Sequence, residues 1–98
     1  MEVVFKNQYL KLIETDRAAD TKLPVAVIQS CRKKLNFLRS IPDERTLRGW
    51  KSLHYEKLKG DREGQRSIRL NNQWRLVFEL DNRRSPPKVT VLELEDYH

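Results

Sequence analysis

The chain is poor in most of the residues that announce a specialised architecture. Its 98 residues include one cysteine, three glycines and four prolines. A lone cysteine, Cys31, excludes an intrachain disulfide and a cysteine-rich zinc site. Its place on the apolar side of a predicted helix makes it core filler rather than a nucleophile. With so little glycine and proline, the chain is neither fibrous nor of low complexity. Long apolar runs are missing too. Val25-Ala26-Val27-Ile28 is the longest aliphatic stretch, against the roughly 20 residues a membrane span needs. The opening Met1-Glu2-Val3-Val4-Phe5-Lys6 lacks the basic-then-apolar order of a secretory signal. A cytoplasmic location without a membrane partner is therefore expected. What remains is a balanced soluble composition, 38% apolar and 35% charged, sized for one domain over residues 1–98 with a modest core.

Charge is present and unevenly placed. From Arg45 to Arg75 run nine basic residues: Arg45, Arg48, Lys51, Lys57, Lys59, Arg62, Arg66, Arg69 and Arg75. Only Glu56, Asp61 and Glu63 oppose them, so the entire net charge of +6 lies in this third of the chain. Such focusing favours a polyanionic partner: nucleic acid, an acidic protein or a membrane surface. A well-solvated surface is the plainer alternative.

Periodicity divides the chain into helices first and strands after. Val3-Val4-Phe5 reads as a short strand. Tyr9, Leu12 and Ile13 mark an amphipathic helix over about residues 7–16. A second helix starts at Pro24, whose missing N–H costs nothing in a first turn, and buries Ile28, Cys31, Leu35 and Leu38. Pro42-Asp43-Glu44 suggests one further helical turn. Beyond Lys51 the period falls to two, with strands over residues 65–70, 73–80 and 88–94, and Pro86-Pro87 in the last loop. The expected fold is α+β: a small, mainly antiparallel sheet with the N-terminal helices on one face.

Hairpin register decides what the other face carries. A two-residue turn at Asn71-Asn72 mixes apolar and charged side chains on both faces. A three-residue loop, Asn71 to Gln73, pairs Leu70 with Trp74, Ile68 with Leu76 and Arg69 with Arg75. It places Ile68, Leu70, Trp74, Leu76 and Phe78 on one face and Ser67, Arg69 and Arg75 on the other. Like charges directly opposite each other destabilise a sheet, unless an anion sits between them. Two guanidinium forks can hold a phosphodiester and the extra charge of its transition state. Otherwise the side chains splay toward Glu79 or Glu93.

Lys57-Leu58-Lys59-Gly60-Asp61-Arg62-Glu63-Gly64 is a charged glycine loop, too short and wrongly patterned for a Walker loop. Taken with Ser67-Ile68-Arg69, Gln73-Trp74-Arg75-Leu76 and the closing Asp96-Tyr97-His98, it resembles the HigB toxins of bacterial toxin–antitoxin systems, in the RelE/ParE superfamily. The resemblance covers the C-terminal half closely and the N-terminal half only in helical pattern. It implies a compact sheet flanked by helices that cleaves mRNA in the ribosomal A site, held in check by a helix-turn-helix (HigA-like) antitoxin. It assigns catalysis to Arg69, Arg75, Asp96, Tyr97 and His98. Lys57, Lys59, Arg62 and Arg66 become candidate RNA or ribosome contacts. Asn71 stands where some members have an arginine that contacts base or phosphate. Some relatives use a histidine just before the Leu-Lys-Gly motif; here that position is Glu56, with His54 two residues earlier, either a site residue or a surface histidine.

These residues suit RNA cleavage without a metal or other cofactor. The 2′-hydroxyl attacks phosphorus, the arginines stabilise the phosphorane, and His98, an imidazole with an ordinary pKa near ~6.5, serves as base or acid. Asp96 orients it, acts as base, or positions the nucleotide. Tyr97, a phenol of pKa about 10, is a poor base and better suited to stacking or donating to phosphate. Strict strand alternation separates Tyr97 from Asp96 and His98, so either the last strand bulges or Tyr97 works from the edge. With the α-carboxylate on His98 itself, a C-terminal tag is expected to lower toxicity more than an N-terminal one. Two rivals stand: a DNA gyrase inhibitor, as in ParE relatives, and a non-catalytic basic RNA- or protein-binding module.

Overall fold

Pro24 (φ −57°) forms the N-cap of the longest helix, α2 (Val25–Ser40). It lies one position before the first helical turn, and its carbonyl accepts from Val27 and Ile28 N–H, each at 3.0 Å. In the computed structural model, which describes residues 1–97, this helix is the main cover of the sheet. Val27, Ile28, Cys31, Leu35 and Leu38 are its buried residues, the stripe expected at helical spacing. Truncating fully buried Leu35 to alanine would cost about 2–5 kcal/mol. Burial pushes the Cys31 thiol up to about 12, with the Glu14 charge adding to it, so this sulfur stays protonated and inert. At the far end of α2, the Met1 ammonium donates to the Leu38 carbonyl (3.0 Å) and the Arg39 carbonyl (3.2 Å), a cation where the helix dipole is negative.

The expected helix over residues 7–16 is shorter and turned differently. Asn7 caps α1 (Gln8–Lys11) by accepting from Leu10 N–H at 2.9 Å, and a 3₁₀ turn (Leu12–Glu14) follows. Leu10 and Ile13 are buried, whereas Tyr9 is 51% exposed. Ile13 of the expected stripe faces inward and Leu12 is half-buried, while Leu10, three before Ile13 as a tightened turn favours, takes the place of Tyr9. The third helix, α3 (Glu44–Gly49), is capped by Asp43, which accepts from the Thr46 N–H and hydroxyl, each at 3.1 Å. No helix among the described residues is long and apolar enough to cross a membrane.

Five strands form one sheet in the order β1-β5-β4-β3-β2. They are β1 (Glu2–Phe5), β2 (Glu56–Lys57), β3 (Gln65–Arg69), β4 (Trp74–Asp81) and β5 (Lys88–Asp96). All neighbours are antiparallel except β1, which pairs parallel to β5. The two-residue β2 is too brief to show any alternation in sequence. The β3–β4 register is the one that segregates the side chains: Ile68 faces Leu76, and Arg69 faces Arg75. Ile68, Leu70, Leu76, Phe78, Val89 and Val91 join the helices in a single core.

One irregularity redirects the last strand. Val77 pairs with Glu93 but Phe78 pairs with Val91, so Leu92 is an extra residue, a β-bulge. Before it, Val89 and Val91 point into the core. After it the alternation is inverted: Leu94 pairs with Leu76 on the core side, and Glu93 and Glu95 share the opposite face with Val77 and Arg75.

Candidate active site

The face away from the helices is carpeted with charged side chains, beneath which Ser67 and Val77 are fully buried. At its hairpin end Arg69 and Arg75 stand opposite each other on β3 and β4. The turn that holds them is built by Asn71, whose side-chain oxygen accepts from Gln73 and Trp74 N–H, each at 2.8 Å. Ser30 Oγ donates to the Leu70 carbonyl at 2.6 Å and ties the turn to α2. Asn71 thus works as a turn-former, and its backbone carbonyl accepts from Arg69 Nε at 3.2 Å.

Neither arginine of the pair goes to Glu79 or Glu93. Arg75 donates to Ser67 Oγ (2.9 Å) and to the His54 carbonyl, with Glu56 only loosely engaged at 3.8 Å. Arg69 donates to Asn72 Oδ1 and lies 3.1 Å from His54 Nε2. A guanidinium has no acceptor, so this contact requires a neutral ring with its proton on Nδ1. Most of these partners are neutral and satisfy the geometry of the forks without cancelling their charge.

His54 therefore lies against both arginines, by way of its backbone as much as its ring. It caps a 3₁₀ turn (Lys51–Leu53) in the left-handed region, φ 48° and ψ 46°, a conformation costly for a residue with a Cβ. That twist turns its carbonyl toward Arg75. Glu56 follows on β2, opposite Ser67, and so on the arginine face.

The bulge at Leu92 decides which terminal residue joins them. Continuing from Glu93 and Glu95, Tyr97 lies on the arginine face. Its N–H donates to the Gln73 carbonyl at 2.8 Å. Its ring lies over Arg75, with the guanidinium carbon 5.4 Å from the centroid, and its hydroxyl donates to Glu56 Oε1 at 3.3 Å. Asp96 instead pairs with Trp74 on the helix side of the sheet and accepts from Gln73 Nε2 at 2.9 Å. The strand bulges at Leu92, well before its end, so Tyr97 and Asp96 stay on opposite faces and the residue brought to the arginines is Tyr97. His98 lies outside the described residues. His54, Arg69, Asn71, Asn72, Gln73, Arg75 and Tyr97 line a pocket of about 170 Å³.

The basic stretch divides three ways rather than forming one RNA-facing surface. Arg66, expected among the RNA contacts, pairs with Phe78 in the ladder and faces the helices. Its side chain is 15% exposed, and its Nε lies 3.4 Å from Glu44. Arg62 is clamped by Glu95 at 3.1 and 2.6 Å, with Glu93 at 3.6 Å, so two carboxylates neutralise it. The Arg62 fork holds the Glu95 carboxyl below its ordinary value. Lys57 is exposed and 3.9 Å from Glu44. Lys59 is exposed beside the glycine loop, and with Lys57 it lines a second pocket of about 490 Å³. Sequence position could not separate these roles, because the partners Glu44, Glu93 and Glu95 come from distant elements.

Known proteins share this chain's sequence pattern and fold. Residues 3–95 match the family described as the RelE-like toxin of type II toxin–antitoxin system HigB. Toxin HigB-1 of Vibrio cholerae is 30% identical over 79 residues, covering 81% of this chain and 83% of that one. Among solved structures, YafQ from E. coli superposes with a TM-score of 0.63 at 8% identity, over 97% of this chain and 91% of that one. The toxin of the YoeB–YefM complex from Staphylococcus aureus gives 0.61 at 20% identity, over 100% and 97%. These likenesses extend to the whole fold.

Proposed function

Because the chain belongs to the RelE-like HigB toxin family of type II toxin–antitoxin systems, we propose that it is a ribosome-dependent mRNA endoribonuclease that cuts message in the A site and blocks translation. The observation that carries this reading is the cross-strand pair Arg69–Arg75, held by neutral acceptors with Tyr97, His54 and Glu56 around it. Two guanidinium groups side by side suit a phosphodiester, and the charge that a phosphorane gains during reaction draws further on both.

The reaction uses the chain's own groups and no metal. The ribose 2′-oxygen bonds to phosphorus as the bond from phosphorus to the 5′-oxygen breaks, leaving a 2′,3′-cyclic phosphate and a 5′-hydroxyl. Arg69 and Arg75 hold the non-bridging oxygens. Glu56, the carboxylate nearest Arg75, accepts the 2′-proton. Tyr97 stacks on a base or donates to phosphate, and His98, next in the chain, protonates the 5′-oxygen. Asp96 keeps Gln73 and the hairpin end in place. Lys57 and Lys59 meet ribosomal RNA in the cytoplasm.

The partner that restrains the toxin is a HigA-like helix-turn-helix antitoxin, which covers the arginines with acidic side chains or bars entry to the ribosome. The test is mRNA cleavage on translating ribosomes by wild type and by Arg75→Ala: wild type cuts and the variant does not. Undiminished cleavage by the variant would remove the assigned site. Inhibition of gyrase supercoiling without mRNA cutting would favour the ParE-like alternative instead.

A further inference from the structure

Behind the site, on the helix side of the sheet, one carboxylate collects an unusual number of partners. Glu44 opens α3, and its side chain is 12% exposed. Its Oε2 accepts from the Tyr55 hydroxyl at 2.6 Å, and its Oε1 from Asn82 Nδ2 at 3.1 Å. Arg48 and Arg66 each approach within 3.4 Å, and Lys57 within 3.9 Å. Burial pushes the Glu44 carboxyl up, but the bonds from Tyr55 and Asn82 and the nearby Arg66 and Arg48 charges outweigh it and hold the carboxyl below its ordinary value.

Tyr55 is the informative partner. It lies between His54 and Glu56, two residues that touch the arginines from the opposite face. Its ring stacks on core residue Phe78, with centroids 6.3 Å apart, and its hydroxyl donates to Glu44, with the Arg66 guanidinium beside it. His54 is in the left-handed region and β2 is two residues long, so little local structure fixes this segment. The Glu44–Tyr55 bond fixes it from behind.

We propose that Glu44 and Tyr55 are positioning residues for the reaction: their hydrogen bond sets the 54–56 backbone so that the His54 carbonyl aims Arg75 and Glu56 meets Tyr97. This deepens the endoribonuclease reading and rests on it for its kinetic part only. Small displacements matter here, because a shift of about 1 Å in a reacting group can cost about 100-fold in rate.

Tyr55→Phe removes the hydroxyl and keeps the ring on Phe78, so it tests the bond without emptying the core. Two readouts are made on the full chain. The first is amide hydrogen exchange at residues 54–56 together with the Arg75 Nε resonance. The second is single-turnover cleavage of ribosome-bound mRNA, separated into maximal rate and half-saturating concentration. The expected result is faster exchange at 54–56, a shifted Arg75 resonance, and a maximal rate lowered about tenfold or more at nearly unchanged half-saturation. Glu44→Gln, which keeps an acceptor for the tyrosine, is expected to retain more of that rate than Glu44→Ala. Unchanged exchange and an unmoved Arg75 resonance in a folded Tyr55→Phe would overturn the proposal, as would a rate loss no larger than the fraction unfolded. Should wild type fail to cleave mRNA, the endoribonuclease reading falls, while the exchange and resonance arm still decides whether the bond positions the segment.

Discussion

Arg75 lies beneath the ring of Tyr97, its guanidinium carbon 5.4 Å from the centroid, while the same ring's hydroxyl reaches Glu56 at 3.3 Å. The tyrosine thereby joins a cation on β4 to a carboxylate on β2, and the strand between them, β3, contributes Arg69. Four side chains, three from the basic third of the sequence and Tyr97 from just beyond the last strand, meet at one end of the sheet.

Arg75 is the centre of that group. Arg75→Ala is expected to lower mRNA cleavage by about 100- to 1,000-fold, the usual loss on removing a preorganised donor to developing charge. Arg75→Lys should restore little, since an ammonium cannot reproduce bonds to Ser67, the His54 carbonyl and phosphate together. Single-turnover rates with thermal unfolding alongside separate the two effects: the rate collapses while folding persists.

Tyr97 has two separable contributions. Tyr97→Phe keeps the ring over Arg75 and loses the hydroxyl with its bond to Glu56, a change of about 1 kcal/mol or roughly fivefold in rate. Tyr97→Ala removes both and is expected to cost more. Equal losses in the two variants would show that only the hydroxyl matters.

Arg66 and Lys59 are expected to behave oppositely although both belong to the basic stretch. Arg66→Ala removes the more buried of the two arginines 3.4 Å from Glu44 and should destabilise the fold by about 1–3 kcal/mol. It should leave the salt dependence of ribosome binding unchanged. Lys59→Ala should alter stability by no more than about 0.5 kcal/mol. It should flatten the slope of log affinity against log salt by about one. Denaturant melts and binding at several salt concentrations distinguish them.

Acid should loosen the molecule partly through Glu44. Its carboxyl lies below the ordinary value of 4.5 in the folded chain, so it adds stability that is fully present above that value. The contribution is lost as pH falls through the lower, folded-state value. Wild type is thus expected to lose melting temperature more steeply than Glu44→Gln below about pH 4.5. Parallel curves would remove Glu44 from the account of acid sensitivity.

How much of this could be read from residues alone differs by element. The Arg69–Arg75 pair was legible because only one hairpin register sends Ile68, Leu70 and Leu76 to a common face. The stripe on α2 was legible for the same reason, a strong period in apolar residues. Tyr9 misled because a 3₁₀ turn follows α1 within one turn, and the sequence contains nothing that marks the change of pitch. The bulge was hidden because Val89-Thr90-Val91-Leu92-Glu93-Leu94 has an apolar residue at every other place on either side of it. Leu92 reads as one more core residue. Arg66 was misplaced because basic residues were grouped by closeness in sequence, and its partner Glu44 precedes the basic stretch on another element. His54 and Glu56 were in view as alternatives to each other; the left-handed turn at His54 brings both to the arginines.

The extra residue at Leu92 has a consequence for how such a protein can change. It acts as a phase shifter between the two halves of β5, one answering to the helices and the other to the chemistry. Upstream, Val89 and Val91 are bound by packing; downstream, Glu93, Glu95 and Tyr97 are not. Losing that one codon would join Val91 to Glu93 in an unbroken ladder and leave Leu94 facing the core and Tyr97 the arginines. A codon lost beyond the bulge, at Glu95, would instead turn the strand end over and set Asp96 in place of Tyr97 beside the same two arginines.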